Sequence, residues 1–121
     1  MPSEPVLESF IALVESNAHV EAIERFYAED ASMQENFDPP RQGRDTLVAG
    51  ESAFLKLWQK VESRCVRPAF CADDRVVIRW TFEFTAPDGG KRRMDELAYQ
   101  RWQGDKIVEE RFYYDPKQMQ S

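Results

Sequence analysis

The stretch Val76-Val77-Ile78-Arg79-Trp80-Thr81-Phe82-Glu83-Phe84-Thr85 decides the fold. Val76, Ile78, Trp80, Phe82 and Phe84 alternate with Val77, Arg79, Thr81, Glu83 and Thr85, the period-two pattern of a strand with one face in a core. Pro87-Asp88-Gly89-Gly90 follows, and its glycines supply the positive φ of a tight turn. Residues 92–102 return as a strand, Gln103-Gly104-Asp105 turns again, and 106–115 forms the last strand before Pro116. Strand character begins near Arg64, so the second half of the chain reads as an antiparallel meander.

Upstream the period changes. Val6, Leu7, Phe10, Ile11 and Val14 recur at spacings of three and four, an apolar helical stripe, with Pro5 in the first turn. Asn17 interrupts the stripe, and Val20, Ile23, Phe26 and Tyr27 resume it in a second helix. Residues 31–37 switch to period two, with Ala31, Met33, Glu35 and Phe37 on one face. A loop at 38–43 leads to a third helix from about Asp45, whose stripe of Leu47, Phe54, Leu57, Trp58 and Val61 makes it the longest of the three. The expected architecture is α+β: three N-terminal helices packed on a strongly curved, mainly antiparallel sheet, a cone-shaped half-barrel in one domain spanning 1–121. Helices that cap a curled sheet incompletely leave an apolar pocket.

Composition narrows the function. The chain has 121 residues, 42% hydrophobic and 31% charged, and 16 Lys and Arg against 22 Asp and Glu give a net charge of −6. That balance, with no basic patch, repels phosphate backbones, so no nucleic-acid partner is expected. No window is apolar enough to span a membrane, and residues 1–5 lack a secretory pattern, so the expectation is a cytoplasmic protein without membrane partners. Cys65 and Cys71 sit about 20 Å apart along an extended segment, too far for a bridge. His19 is the only histidine, which excludes a multi-histidine metal centre. No Gly-rich phosphate loop and no Gly-x-Ser-x-Gly elbow occur, so no nucleotide cofactor is expected and a nucleophilic serine has little support.

The order helix, helix, strand, long helix, meander resembles the nuclear transport factor 2-like superfamily, in particular its SnoaL-like branch. Three segments carry the likeness: Phe26-Tyr27-Ala28-Glu29-Asp30-Ala31, Pro40-Arg41-Gln42-Gly43 and Gly104-Asp105-Lys106-Ile107-Val108-Glu109. The resemblance implies residue roles. Glu35 falls on the general base of ketosteroid isomerases, and Asp115 on the strand-end aspartate of SnoaL-like cyclases and limonene epoxide hydrolases. The isomerases' oxyanion-hole acid falls near Glu96. Trp80 and Phe82 stand near the hydrolases' Arg-x-Asp pair, and the cyclases' catalytic histidine has no counterpart. The resemblance also implies a homodimer formed through the sheet.

Glu35 is the candidate that pattern alone supports, because desolvation on an apolar face raises a carboxyl toward the range of a useful base. Its plain alternative is a strand-end glutamate that reaches solvent or pairs with an arginine. Asp115 either joins Glu35 as acid or orienting group, or merely caps the chain before Pro116. Tyr27, Tyr113 and Tyr114 offer hydroxyl donors to a ligand, and Trp58, Trp80 and Trp102 read as core or pocket wall. Of the neighbours Asp95 and Glu96, one faces the helices; Arg79 reads as a solvated cation and His19 as an exposed residue. Three functions remain open. One is cofactor-free acid–base chemistry on a small apolar or carbonyl-containing molecule, such as isomerisation, cyclisation or dehydration. A second is a ligand-binding or accessory module whose pocket carboxylates are neutralised by arginine or turned outward. The third is a purely structural dimer.

Overall fold

A computed structural model describes residues 1–120. Helix α1 (Glu4–Glu15) starts where the Ser3 hydroxyl accepts from the Val6 amide at 3.3 Å, and it buries Leu7, Phe10, Ile11 and Val14. Asn17 breaks the helix in the left-handed region at φ 69°. Helix α2 (His19–Phe26) follows and runs directly into strand β1 (Tyr27–Glu35). After the short strand β2 (Arg41–Gln42), Gly43 at φ 96° begins α3 (Arg44–Leu55). Four long strands complete the chain: β3 (Lys60–Ala72), β4 (Arg75–Thr85), β5 (Lys91–Gln103) and β6 (Lys106–Tyr113). A 3₁₀ turn spans Pro116–Met119.

The six strands form one sheet in the order β2-β1-β6-β5-β4-β3, antiparallel except where β1 runs parallel to β6. The sheet is curved and unclosed, and the helices pack in its concave side, the α+β cone expected from the periodicities. Strand β4 follows its alternation throughout. Val76 and Ile78 have no exposure, and Trp80, Phe82 and Phe84 stay below 9%. Burying five such side chains stabilises the fold by about 1.5–3 kcal/mol each. Its neighbour β5 turns Met94, Glu96, Ala98, Gln100 and Trp102 to the same side.

Two local departures shape the site. Helix α3 ends at Leu55, as short as α1, and does not continue to Val61. Val61 instead pairs with Phe84, and the Gln59 amide donates to the Thr85 carbonyl at 2.7 Å. The helical spacing of Phe54, Leu57, Trp58 and Val61 yields to strand pairing with the most apolar strand of the protein, and Leu57 is left exposed. The second departure is a bulge in β6. Arg101 pairs with Glu109 but Trp102 pairs with Ile107, so Val108 is an extra residue and the alternation inverts beyond it. Ile107 faces inward before the bulge, and Glu110 and Phe112 face inward after it.

Candidate functional site

Between the concave sheet and the helices lies a cavity of about 340 Å³, within the size range of small-molecule sites. Phe10, Phe54, Trp80, Phe82 and Phe84 supply its aromatic wall. Its polar groups come from separate elements: Tyr27 and Glu35 from β1, Arg41 from β2, Glu51 from α3, Glu96 from β5 and Glu110 from β6.

Glu110 is the most deeply held of these. It is 2% exposed, and both carboxyl oxygens accept hydrogen bonds. Tyr27 Oη donates to one oxygen in a very short bond, and Gln100 Nε2 donates to the other at 2.6 Å. Trp102 Nε1 donates to Gln100 Oε1 at 2.9 Å. An indole nitrogen only donates, so this contact fixes which end of the Gln100 amide faces Glu110. Burial pushes the Glu110 carboxyl up to about 7, against the two donors, which pull it down. The same burial, with Glu110 beside it, raises the Tyr27 phenol well above its usual range.

Glu96 differs. It is 7% exposed and opens onto the cavity, and among the described residues no hydrogen bond or ion pair reaches its carboxyl. Desolvation first, and then the negative charges of Glu110, Glu35 and Glu51, raise it well above an ordinary glutamate. The shift favours its protonated form, a hydrogen-bond donor set in an apolar wall. Of Asp95 and Glu96, Glu96 is thus the inward one, while Asp95 lies outside in a two-point pair with Arg79, at 3.0 and 2.6 Å.

Glu35 lines the cavity but is not dry. Its side chain is 41% exposed, and Arg41 Nη2 lies 3.8 Å from its carboxylate. It is the last residue of β1, so the strand carries it to the mouth of the cavity and not to the floor. Glu51, also on the lining, is raised by burial and opposed by Arg41.

Asp115 is not in the cavity. It is exposed and starts the 3₁₀ turn, its Oδ1 accepting from the Lys117 amide at 3.0 Å. Tyr113 also points outward, 41% exposed under the Arg111 guanidinium. Both corrections have one cause. Unbroken alternation from Ile107 turns Tyr113 and Asp115 inward, whereas the bulge at Val108 turns Glu110, Phe112 and Tyr114 inward instead. Tyr114 lines the cavity, its phenol pushed up to about 12 by burial and by Glu35 and Glu96. Trp80 forms part of the wall. Trp58 stands behind it, against Phe84 at 5.1 Å and Phe54 at 6.2 Å, with its buried Nε1 unpartnered among the described residues.

His19 is buried, not exposed. Its Nε2 meets the Ser63 hydroxyl at 2.7 Å, and burial lowers the ring to about 4, against a hydrogen bond to the Val14 backbone. It is neutral at physiological pH, and so low a basicity fits a packed ring better than a proton acceptor for Ser63.

Gln100 and Glu51 were legible in principle. Gln100 continues the inward phase of Glu96 and Ala98, and Glu51 lies four residues after Leu47 on the α3 stripe. Glu110 was not, because a bulge leaves no mark in composition.

The SnoaL-like domain profile matches residues 7–110. The chain belongs to the SnoaL-like family. None of the curated proteins matches it. A solved structure from Burkholderia pseudomallei, a nuclear transport factor 2-like protein of unknown function, superposes with a TM-score of 0.80 at 12% identity, over 95% of this chain and 92% of that one. A Catenulispora acidiphila protein with a ketosteroid isomerase-like fold, solved with trimethylamine, gives 0.77 at 15% identity over 93% and 87%. A Mesorhizobium loti protein described as a SnoaL-like polyketide cyclase gives 0.75 at 24% identity over 91% and 97%. These likenesses carry the SnoaL-like fold; the chemistry rests on the side chains here. Among the described residues no helix is long and apolar enough to cross a membrane.

Proposed function

We propose that this SnoaL-like chain takes a small, largely apolar molecule bearing a carbonyl group into the cavity and acts on it by cofactor-free acid–base chemistry. One observation carries the reading: Glu96 is a buried acid, without a partner among the described residues, that opens onto an apolar hollow. A protonated carboxyl there donates to a ligand oxygen and stabilises negative charge that develops on it. Glu35, at the mouth of the same cavity, is the carboxylate placed to take a proton from the adjacent carbon. Isomerisation, aldol-type cyclisation and dehydration share these two roles.

Hydrogen–deuterium exchange at the α-carbon of an enolisable cyclic ketone, followed by NMR in D2O, tests it. The protein accelerates exchange, and Glu96→Ala and Glu35→Gln each remove most of the acceleration, by about 10²–10⁴ for a positioned acid or base. Ketone binding depends on the protonated form of Glu96, so affinity is full at low pH and is lost as pH rises through its folded pKa.

A second reading, a binding module without turnover, is favoured by the Arg41 guanidinium beside Glu35 and by the outward Asp115. Ketone binding with no accelerated exchange selects it. No binding removes both.

The outer face of the sheet carries exposed Leu97, Tyr99 and Tyr113 on adjacent strands, with Leu97 paired to Tyr113. An exposed apolar patch of this kind suits a homodimer through the sheet, the assembly we propose for a cytoplasmic protein with no nucleic-acid or membrane partner. A monomeric mass by light scattering at micromolar concentration removes the dimer.

A further inference from the structure

Strand β5 is longer than its neighbour β6. The last pair between them joins Leu97 to Tyr113, so on that side β5 loses its partner before Asp95. A strand whose neighbour stops exposes backbone groups that water or another chain must satisfy. Here a side chain does so. The Asp95 amide donates to Gln118 Oε1 at 2.6 Å, and Gln118 Nε2 donates to the Asp95 carbonyl at 3.1 Å. The carboxamide thus makes the donor–acceptor pair that a residue of a continuing strand makes.

The 3₁₀ turn that presents Gln118 is self-contained. Asp115 caps it, and the Gln118 amide donates to the Asp115 carbonyl at 3.0 Å. Among the described residues the two bonds to Asp95 are the only side-chain hydrogen bonds between turn and sheet. The next residue, Met119, packs half-buried against the core and lines the cavity. The latch also grips the backbone of the residue next to Glu96, whose carboxyl opens into the same cavity.

We propose that Gln118 is a positioning residue that latches this turn to β5, and that Met119 is the door of the cavity, setting the size of molecule that enters and keeping water from Glu96. Two exposed, neutral hydrogen bonds hold the door, few enough to open on the time scale of loop motion. Methionine suits the role, since its unbranched, polarizable chain repacks around occupants of different shape. For ligand entry the proposal rests on the cavity being a binding site, whereas the shielding of Glu96 does not.

The test uses the full chain, with Gln118→Ala, Gln118→Glu, Met119→Ala and Met119→Trp variants. First, the Glu96 carboxyl is titrated by carbon-detected NMR. In Gln118→Ala and Met119→Ala its pKa moves down toward that of a free glutamate as water reaches it. Gln118→Glu keeps an acceptor for the Asp95 amide and gives an intermediate shift, which loss of bulk alone does not produce. Second, stopped-flow fluorescence follows N-phenyl-1-naphthylamine, a neutral apolar probe, into the cavity. Gln118→Ala raises the association and dissociation rate constants together by about 25-fold, the factor expected for losing two ordinary hydrogen bonds, with little change in Kd. Met119→Trp slows both. A Glu96 titration unchanged in Gln118→Ala overturns the proposal whether or not the probe binds. Rates unchanged in Gln118→Ala overturn the door even where the cavity takes the probe. A probe that never binds wild type counts against the cavity reading and leaves the titration to decide the shield.

Discussion

Tyr27 at the start of β1 donates its phenolic hydrogen to Glu110 on β6, joining residues 83 positions apart across the floor of the cavity. The contact closes the parallel pairing of β1 with β6, and it holds a carboxyl that burial alone pushes toward the neutral form. Four predictions follow from this floor and the groups around it.

Tyr27→Phe removes one of the two donors to a carboxyl that is 2% exposed. The ionised form needs that donor more than the neutral form does. Because the folded pKa of Glu110 is raised, to about 7, its penalty is absent below the unfolded value and complete above about 7. The variant should therefore lose about 1–3 kcal/mol in urea denaturation, with the larger loss at pH 8 than at pH 5. Equal losses at both pH values contradict the assignment.

His19 works against Glu110 in overlapping windows. Its folded pKa is depressed to about 4, so the folded state refuses a proton that the unfolded state accepts. Stability from this group is present above about 6.5 and is lost as pH falls toward 4. Glu110, with Glu96 and Glu51 alongside, destabilises in the opposite direction as pH rises. His19→Gln, which retains a polar group for Ser63, should unmask the acidic groups. Its stability should fall more steeply between pH 4.5 and 7 than wild type, and a shallower slope contradicts the account.

Glu96→Leu replaces an unpartnered buried acid with an apolar side chain of similar length. It should raise thermal stability by about 1–2 kcal/mol, most at alkaline pH, while abolishing pH-dependent ketone binding. A gain in stability with loss of binding marks a residue kept for function. Loss of both assigns Glu96 to the scaffold.

Trp58 and Trp102 differ in a way that phenylalanine exposes. Trp102 donates to Gln100, so Trp102→Phe leaves a buried amide oxygen without its hydrogen and loosens the grip on Glu110. Among the described residues the Trp58 Nε1 has no partner to lose. Trp102→Phe should cost about 1–3 kcal/mol more than Trp58→Phe by chemical denaturation, and comparable costs contradict the network.

The family and the cone were legible because they depend on repeated, redundant signals. Five inward residues of β4, the stripe of α1 and the Gly89 turn each survive an error at one position. The site was legible only in part. The resemblance to the isomerases placed the acid near Glu96, within one residue, and Tyr27, Trp80 and Glu35 do line the cavity. Glu35 proved half-exposed because the face of a strand says nothing about how far along it the cavity reaches.

By itself the amino-acid order determined the succession of helices and strands, which face of β4 is apolar, and that a curled sheet must hide that face under helices. Those are properties of periodicity, which each segment carries locally. Only the tertiary structure decided that α3 stops at Leu55, that His19 is buried, and that Glu110 and Tyr114 look inward where Asp115 and Tyr113 do not. Each of these depends on pairing between distant strands. One extra residue at Val108 reverses every side chain that follows it, and that reversal exists only once β6 is laid against β5.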